Sequence, residues 1–409
     1  MSEMGPESLL LGHTVRPARS GGASATSSAS GLLTHDENAH LLTIAPNRSG
    51  RCRACLIPNL LTYTGQVVAI DLTGEAYAAT AAARRAMGHT VVRLDPFGVA
   101  GAESDALDPM ALLDGLVSPA LESSCQDLAE LLIPGNSPGR DIEQNAFALL
   151  SAVIGYLAVL PPEQRSFDQV YVTMHADDVI YNLAVVLDTI GKKIPKMSYS
   201  EMATFLQRDD MTRSRILTHL TSHLKMLSNP EVQESVRGSS FSLSEMRAGA
   251  PVTVYLVIPP ERLATHAPLL RLWVGTLLHN ARRAPETGGL PTLFLLDHCV
   301  ELGPFPLLES VLRLRSGSTV RAWTFWHDLH QLRTTYPSRW PEIVAGCGAV
   351  QVFGTRETAA AAEVEALLGL APKEVWSLGP GEQVVRLDGT PQPARRIDGQ
   401  TPLSSKIAR

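Results

Sequence analysis

The sequence predicts an α/β protein with a mostly parallel sheet, split along the chain by an all-helical segment. Three observations lead there. Strand-length apolar runs alternate with helix-like segments over 40–94 and again over 252–354. The stretch between Ser123 and Ser239 carries helical periodicity and no convincing strand run. Finally, one buried-type strand enters a loop of phosphate-binding shape. Strand–helix alternation is the signature of a doubly wound sheet, and a helical interruption marks an insertion.

Taken in order, Met1–Gly31 is rich in Ser, Gly and Ala, with Ser20–Ser30 reading as a mobile linker. Order is expected to begin near Leu32. His40–Ile44 is a strand and Arg51–Leu61 a helix; Gln66–Asp71 is a buried strand and Glu75–Met87 a helix. Thr90–Leu94 is the next strand, closed by Asp95-Pro96. Amphipathic helices follow at Gln126–Leu132, Ile142–Leu160, Ala176–Ile190, Ser198–Gln207 and Thr212–Leu227. Strand signals return at Val252–Ile258, then a long helix over Arg262–Arg283, then strands at Pro291–Asp297, Val320–Trp326 and Ala349–Gly354. Asp388-Gly389 between two strand-like runs, Glu382–Leu387 and Pro393–Ile397, predicts a closing hairpin. The expected division is a flexible segment 1–31, a discontinuous nucleotide-binding domain 32–122 with 240–409, and an all-α insertion 123–239.

Composition bounds the function. With 409 residues, 44% of them hydrophobic, the chain can bury a large core. A net charge of −6 excludes a generally basic nucleic-acid coat, so any DNA contact must be local. The cysteines Cys52, Cys55, Cys125, Cys299 and Cys347 are too few and scattered for a disulfide framework, which points to a reducing cytoplasm. No secretory signal is visible, and the longest apolar segment, Ala146–Leu160, is shorter than the about 20 residues that span a bilayer.

The loop Ala45-Pro46-Asn47-Arg48-Ser49-Gly50-Arg51-Cys52 departs from the pattern G-x-x-x-x-G-K-[ST] at its chemical positions. Gly50 keeps the second glycine. Ala45 stands at the first, Arg51 at the lysine and Cys52 at the magnesium-ligating hydroxyl. The partner motif of an ATP site is an apolar strand ending in Asp, often followed by Glu. Leu293–Leu296 leads into Asp297, but His298 follows, with Glu301 one turn on as a poorly placed substitute. Asp297 read alone could simply cap its strand and hold the loop helix.

Other features carry two readings each. Cys52 and Cys55, flanked by Arg51 and Arg53 at a helix start, predict depressed thiol pKa values and a redox or metal role, His298 and Cys299 being candidate additional ligands. The alternative is that both are small apolar fillers. His219, His223, Lys225, Arg213 and Arg215 form a basic, His-rich helix that is either a substrate-facing surface or an ordinary solvated face. Trp323, Trp326 and Trp340 read as core or subunit packing rather than base-stacking platforms.

These residues carry a family resemblance. HLLTIAPNRSG, IPNLLTYTG, VVAIDLTGE and ARRAMGHTVVRLDPFG, followed by PVTVYLVIPPERLATHAPLLRLWVGTLL, TLFLLDHCVELGPFPLLES, FWHDLHQL and QVFGTRETA, resemble the cytoplasmic region of type IV secretion coupling proteins, the TraG family of conjugation ATPases. The similarity runs from Leu32 to Ile397. It implies a RecA-like P-loop NTPase fold with an inserted all-α domain, commonly a hexamer, that delivers a DNA–relaxase complex or a protein substrate to type IV secretion components at the inner membrane. ATP and Mg2+ are the implied cofactors. Relative to the family, Arg51 replaces lysine, His298 replaces the Glu of D-E, Thr73 the Lys of K-G-E, and His327 the sensor-like Gln of Q-D-x-x-Q-L. Family members usually carry N-terminal membrane helices, which are not seen here, so recruitment to the membrane by partners is expected. The site carried over comprises Ala45–Cys52, Asp71 and His327 for nucleotide, and Asp297, His298 and Glu301 for chemistry. Arg keeps the charge of lysine but not its point geometry. Loss of the lysine and of the water-activating acid predicts weak or absent hydrolysis, with nucleotide binding a separate matter because backbone N–H groups supply much of phosphate affinity. The competing readings are a working motor that uses Arg51 in place of lysine, and a metal- or thiol-dependent regulator at Cys52/Cys55.

Overall fold

Eleven strands form one sheet in the computed structural model, which describes residue 5 and residues 7–15, 29–133, 141–285, 289–314 and 319–397. They are β1 Leu9–Val15, β2 Ala29–His35, β3 His40–Ile44, β4 Val67–Ile70, β5 Thr90–Leu94, β6 Val252–Leu256, β7 Thr292–Leu296, β8 Val320–Trp326, β9 Cys347–Phe353, β10 Glu382–Leu387 and β11 Thr390–Arg395. The order is β2-β1-β11-β10-β9-β3-β8-β7-β4-β6-β5. β3 pairs in parallel with β8 and β9, and β7 pairs in parallel with β8 and β4. Every residue of β3, β4, β7 and β8 is buried, as expected of parallel strands covered on both faces. Beyond β9 the pairing turns antiparallel, through β10 and β11 to β1 and β2.

Two compact units divide the chain. The first, Met1–Val91 with Met246–Tyr255 and Ala281–Arg409, holds most of the sheet. The second, Val92–Glu245 with Leu256–Asn280, is helical over Ala120–Glu130, Asp141–Ala158, Asp168–Met174, Val179–Ile190, Lys196–Leu206 and Asp210–Leu224. Its extent differs from the expected 123–239. The long helix Leu263–Arg282 belongs mainly to it because Arg271 Nε donates to Leu131 O at 2.7 Å and Asn280 Nδ2 to Leu243 O at 3.0 Å. Gly275 lets Leu131 approach: an added β-carbon would stand 2.3 Å from Leu131 Cδ2.

The expected flexible segment 1–31 is also corrected. Its linker, Ser20–Ser30, lies largely outside the described residues, but Leu9–Val15 is a central strand of the antiparallel end. Leu9, Leu10 and Leu11 are at most 1% exposed, so burial of three leucines outweighs the flanking Ser/Gly composition. Asn59, on the helix after the phosphate-type loop, fixes β1 from the side: Leu10 N donates to Asn59 Oδ1 at 2.8 Å and Asn59 Nδ2 to Leu10 O at 2.9 Å.

Among the described residues no single helix is long and apolar enough to cross a membrane. Trp323 and Trp326 are core residues, as expected, at 0% and 1% exposure. Trp340 is half-buried under the Arg333 guanidinium, 4.7 Å from the ring centre.

Candidate functional site

Parallel pairing brings the carboxyl ends of β3, β8, β7 and β4 to one edge of the sheet, where open α/β sheets place their ligands. The loop Ala45–Cys52 leaves β3 there. Ala45 N donates to Trp326 O at 2.8 Å, which ties the loop's start to the end of β8. Arg48 (φ 60°) and Gly50 (φ 81°) adopt left-handed backbone, and Ser49 N donates to Pro46 O at 3.2 Å. Such alternation curls a loop into a concave, anion-binding turn. The helix that follows opens with a π-helical turn, Cys52–Leu56, before regular α-helix over Ile57–Thr62. π turns concentrate at functional sites.

Arg51 crosses from this loop to the end of β7. Its Nε donates to Asp297 Oδ1 at 2.5 Å, its Nη1 to Ala45 O at 3.1 Å, and its Nη2 reaches His298 Nε2 at 2.9 Å. The side chains of Arg51 and Asp297 are 8% and 14% exposed, so the ion pair is nearly shut off from water. Asp297 Oδ1 also accepts from His298 N at 2.8 Å. His298 has φ 53°, a left-handed conformation that costs a non-glycine residue about 1 kcal/mol. Burial holds its imidazole below the ordinary histidine pKa; Arg51 adds to the depression, while Asp297 and Glu301 oppose it. Because Arg can only donate, the neutral ring accepts at Nε2 and carries its proton on Nδ1. The lone pair that a general base would use is therefore engaged by Arg51.

The remaining expected residues are distributed around this cluster. Asp71, at the end of β4, accepts from Tyr77 N at 2.8 Å and so caps the helix Glu75–Ala86; burial raises its pKa, and nearby Glu75 and Asp297 add to the rise. Glu301 lies in a short 3-10 turn, Cys299–Leu302, its N–H donating to His298 O at 2.9 Å. His327 follows β8, its N–H on Gln331 Oε1 at 2.9 Å and its Nδ1 3.1 Å from Asp328 Oδ2. With Ile44, Pro46 and Phe353 it lines a shallow cleft beside the loop's start.

Cys52 and Cys55 correct the sequence reading. Both thiols are pushed up rather than down. Burial is the main cause for each; for Cys52 the nearby Asp71, Glu75 and Asp297 add to the rise. Arg53 turns away to pair with Glu75 at 2.6 Å. Cys55 is fully buried and donates its S–H to Gln351 Oε1 at 3.3 Å, inside a network in which Thr43 Oγ1 also donates to Gln351 Oε1 at 2.9 Å. Among the described residues no group of three His, Cys, Asp or Glu is placed to hold a metal ion.

The helical unit contains the His-rich segment. His219 and His223 rings meet edge-on at 4.9 Å, and Arg213 pairs with Asp210. Asp141, Glu143, Arg208, Arg215 and His219 line one cleft, so the face is mixed in charge rather than uniformly basic.

Arg396 was not anticipated. Just past β11, it donates from Nη1 to Ser49 O at 2.8 Å, and its guanidinium lies over the Phe353 ring at 4.0 Å. Its only sequence signal is the Arg395-Arg396 pair ending the predicted hairpin.

The residues fit a phosphate group better than its usual metal. The buried Ser49 Oγ has no hydrogen-bond partner among the described residues, and, its immediate chain neighbours aside, no described residue comes within 4 Å of a β-carbon built on Gly50. Magnesium demands hard oxygen ligands in octahedral array. Here Cys52 offers a sulfur, His298 a nitrogen, and Asp297 is already bound to Arg51.

Comparison with known proteins agrees with this architecture. Plasmid coupling protein TrwB in complex with ADP and Mg2+ superposes with a TM-score of 0.69 at 14% identity, covering 90% of this chain and 88% of that one. VirB4 of Thermoanaerobacter pseudethanolicus superposes with a TM-score of 0.53 at 12% identity over 100% of both chains. The fold is thus the RecA-like P-loop NTPase α/β fold. The chain belongs to the type IV secretory system conjugative DNA transfer family, whose model matches residues 7–374. Conjugal transfer protein TraG of Escherichia coli is 27% identical over 328 residues, 74% of this chain and 50% of TraG. Protein VirD4 of Rhizobium radiobacter is 26% identical over 336 residues, 78% of this chain and 46% of VirD4. The chain spans about half the length of these curated relatives.

Proposed function

We propose that this chain is a coupling-protein subunit of a type IV secretion or conjugative DNA-transfer system whose phosphate loop no longer supports ATP hydrolysis. One observation carries the reading: Arg51, at the position of the catalytic lysine, is locked to Asp297 and to the lone pair of His298. A water-activating base and a magnesium-holding carboxylate are thereby both occupied by the same side chain. Removing one electrostatic contact to developing charge costs an active site about 3–4 kcal/mol, and several are altered together here. The family membership supports a role in linking a DNA–relaxase complex or protein cargo to a secretion channel at the inner membrane. In this role the RecA-like domain serves assembly, as a ring (a hexamer, by resemblance) or docked onto one, and the helical segment 123–239 faces cargo.

Steady-state ATP turnover, with and without single-stranded DNA, tests this. The expected rate is at background in both conditions, and it stays there in Arg51→Lys because Cys52 and His298 remain. The combined Arg51→Lys, Cys52→Thr, His298→Glu variant should gain turnover. DNA-stimulated turnover by the natural sequence would instead establish a motor that uses Arg51 as its phosphate-binding cation.

A further inference from the structure

We infer that the Arg51 guanidinium stands in for a divalent cation, so that this loop binds a free nucleoside polyphosphate without magnesium. The inference rests on the reading of the loop as a phosphate site in a non-hydrolysing subunit.

Charge placement is the first argument. A metal ion here would meet a carboxylate whose Oδ1 is already held by Arg51 Nε at 2.5 Å and by His298 N at 2.8 Å, so that Asp297 could offer it Oδ2 alone. It would sit beside a fixed positive charge in a site shielded from water, where like-charge repulsion is strong. Cys52, at the position of the usual magnesium-ligating hydroxyl, presents no oxygen to it. The positive charge that magnesium normally contributes is already in place as a buried, oriented guanidinium.

Donor capacity is the second argument. Arg51 has five N–H donors. Three are used, on Asp297, Ala45 O and His298, which leaves two without a partner among the described residues. Ser49 Oγ is a further buried donor without a partner among them. Arg48 within the loop and Arg396, which donates to Ser49 O, add positive charge to the loop. Metal-free nucleotide is more anionic than its magnesium complex, so this set of donors and charges favours it.

The test is calorimetric titration of the natural chain with ADP and with ATP, first in EDTA and then in excess magnesium. Saturable binding in EDTA, weakened about tenfold by magnesium, is the expected result. Ser49→Ala should weaken binding in EDTA severalfold while leaving the thermal unfolding curve in place, since that hydroxyl holds no described partner. Arg51→Lys should reverse the preference, binding more tightly with magnesium. Binding that requires magnesium, or no binding in EDTA, overturns the inference. Turnover in the magnesium arm would overturn the non-hydrolysing role instead, and it is read separately as released phosphate.

Discussion

Arg51 Nε lies 2.5 Å from Asp297 Oδ1 across 246 residues of sequence, joining the loop after β3 to the end of β7 over the intervening β8. The pair is a structural bond as well as a chemical statement. Both side chains are largely buried, so removing one partner leaves an uncompensated charge in a poorly hydrated site. Arg51→Met and Asp297→Leu are each expected to destabilise the chain by about 3 kcal/mol in denaturant unfolding. The double variant should recover most of that loss, because the two desolvation costs disappear together. A double variant as unstable as the sum of the singles would show the pair contributes little.

His35 makes stability depend on pH. Burial, with a smaller contribution from Arg321, pushes its pKa from 6.5 down to about 4. The folded value lies below the unfolded one, so the stability held above pH 6.5 is lost as pH falls through the interval from 6.5 to about 4. The full loss is on the order of 3 kcal/mol. Unfolding free energy measured across that window should fall less steeply, by close to one proton, in His35→Gln than in the natural chain. Equal slopes in the two chains would mean that His35 does not carry this acid sensitivity.

Asn59 is fully buried and makes three hydrogen bonds, two with the backbone of Leu10 and one with Cys55 O. Asn59→Ala strands a buried N–H and two carbonyls, at a cost of about 2–3 kcal/mol. Hydrogen exchange at the Leu10 amide should accelerate well beyond that of amides in β7. Retained protection at Leu10 would show that β1 is held by its strand neighbours alone.

Cys52 should behave as an unreactive thiol. Its proton is held by burial and three nearby carboxylates, so little thiolate exists at pH 8. A disulfide reagent should modify it at least roughly tenfold more slowly than free cysteine. Fast, stoichiometric labelling at Cys52 would revive the redox reading of the Cys52–Cys55 pair.

Much of the fold was legible because parallel strands advertise themselves. VVAI within QVVAID and LFLL within TLFLL are apolar runs, VRAWTFW is rich in aromatic and β-branched residues, and the helices intervene at the expected spacing. β1 was not legible: LLLGHTV has a glycine at its centre and sits beside Ser/Gly-rich chain, and its partners, β11 and β2, are set by distant pairing. The extent of the helical unit was misread because Leu263–Arg282 looks like any crossover helix until its contacts with Leu131 and Leu243 are known. Within the site, Arg51, Asp297 and His298 were readable as motif substitutions. That they bind one another was not, since the motif specifies positions and not side-chain reach. Cys52 was misread for a related reason: its helix position and flanking arginines are local in sequence, whereas Asp71 and Asp297 approach only through the fold. Arg396 acts on Ser49 across 347 residues and has no local signature.

β1 has a mechanical consequence. It is laddered on both sides, to β2 and to β11, and is stapled laterally by Asn59, two helical turns from Arg51. Tension applied to the backbone ahead of Leu9 would load those ladders in shear, the direction in which strand pairs resist most. The same tension would pull through Leu10 on the helix that carries the arginine latch. A tug on the backbone ahead of Leu9 is therefore shared between the sheet and the helix that follows the phosphate loop.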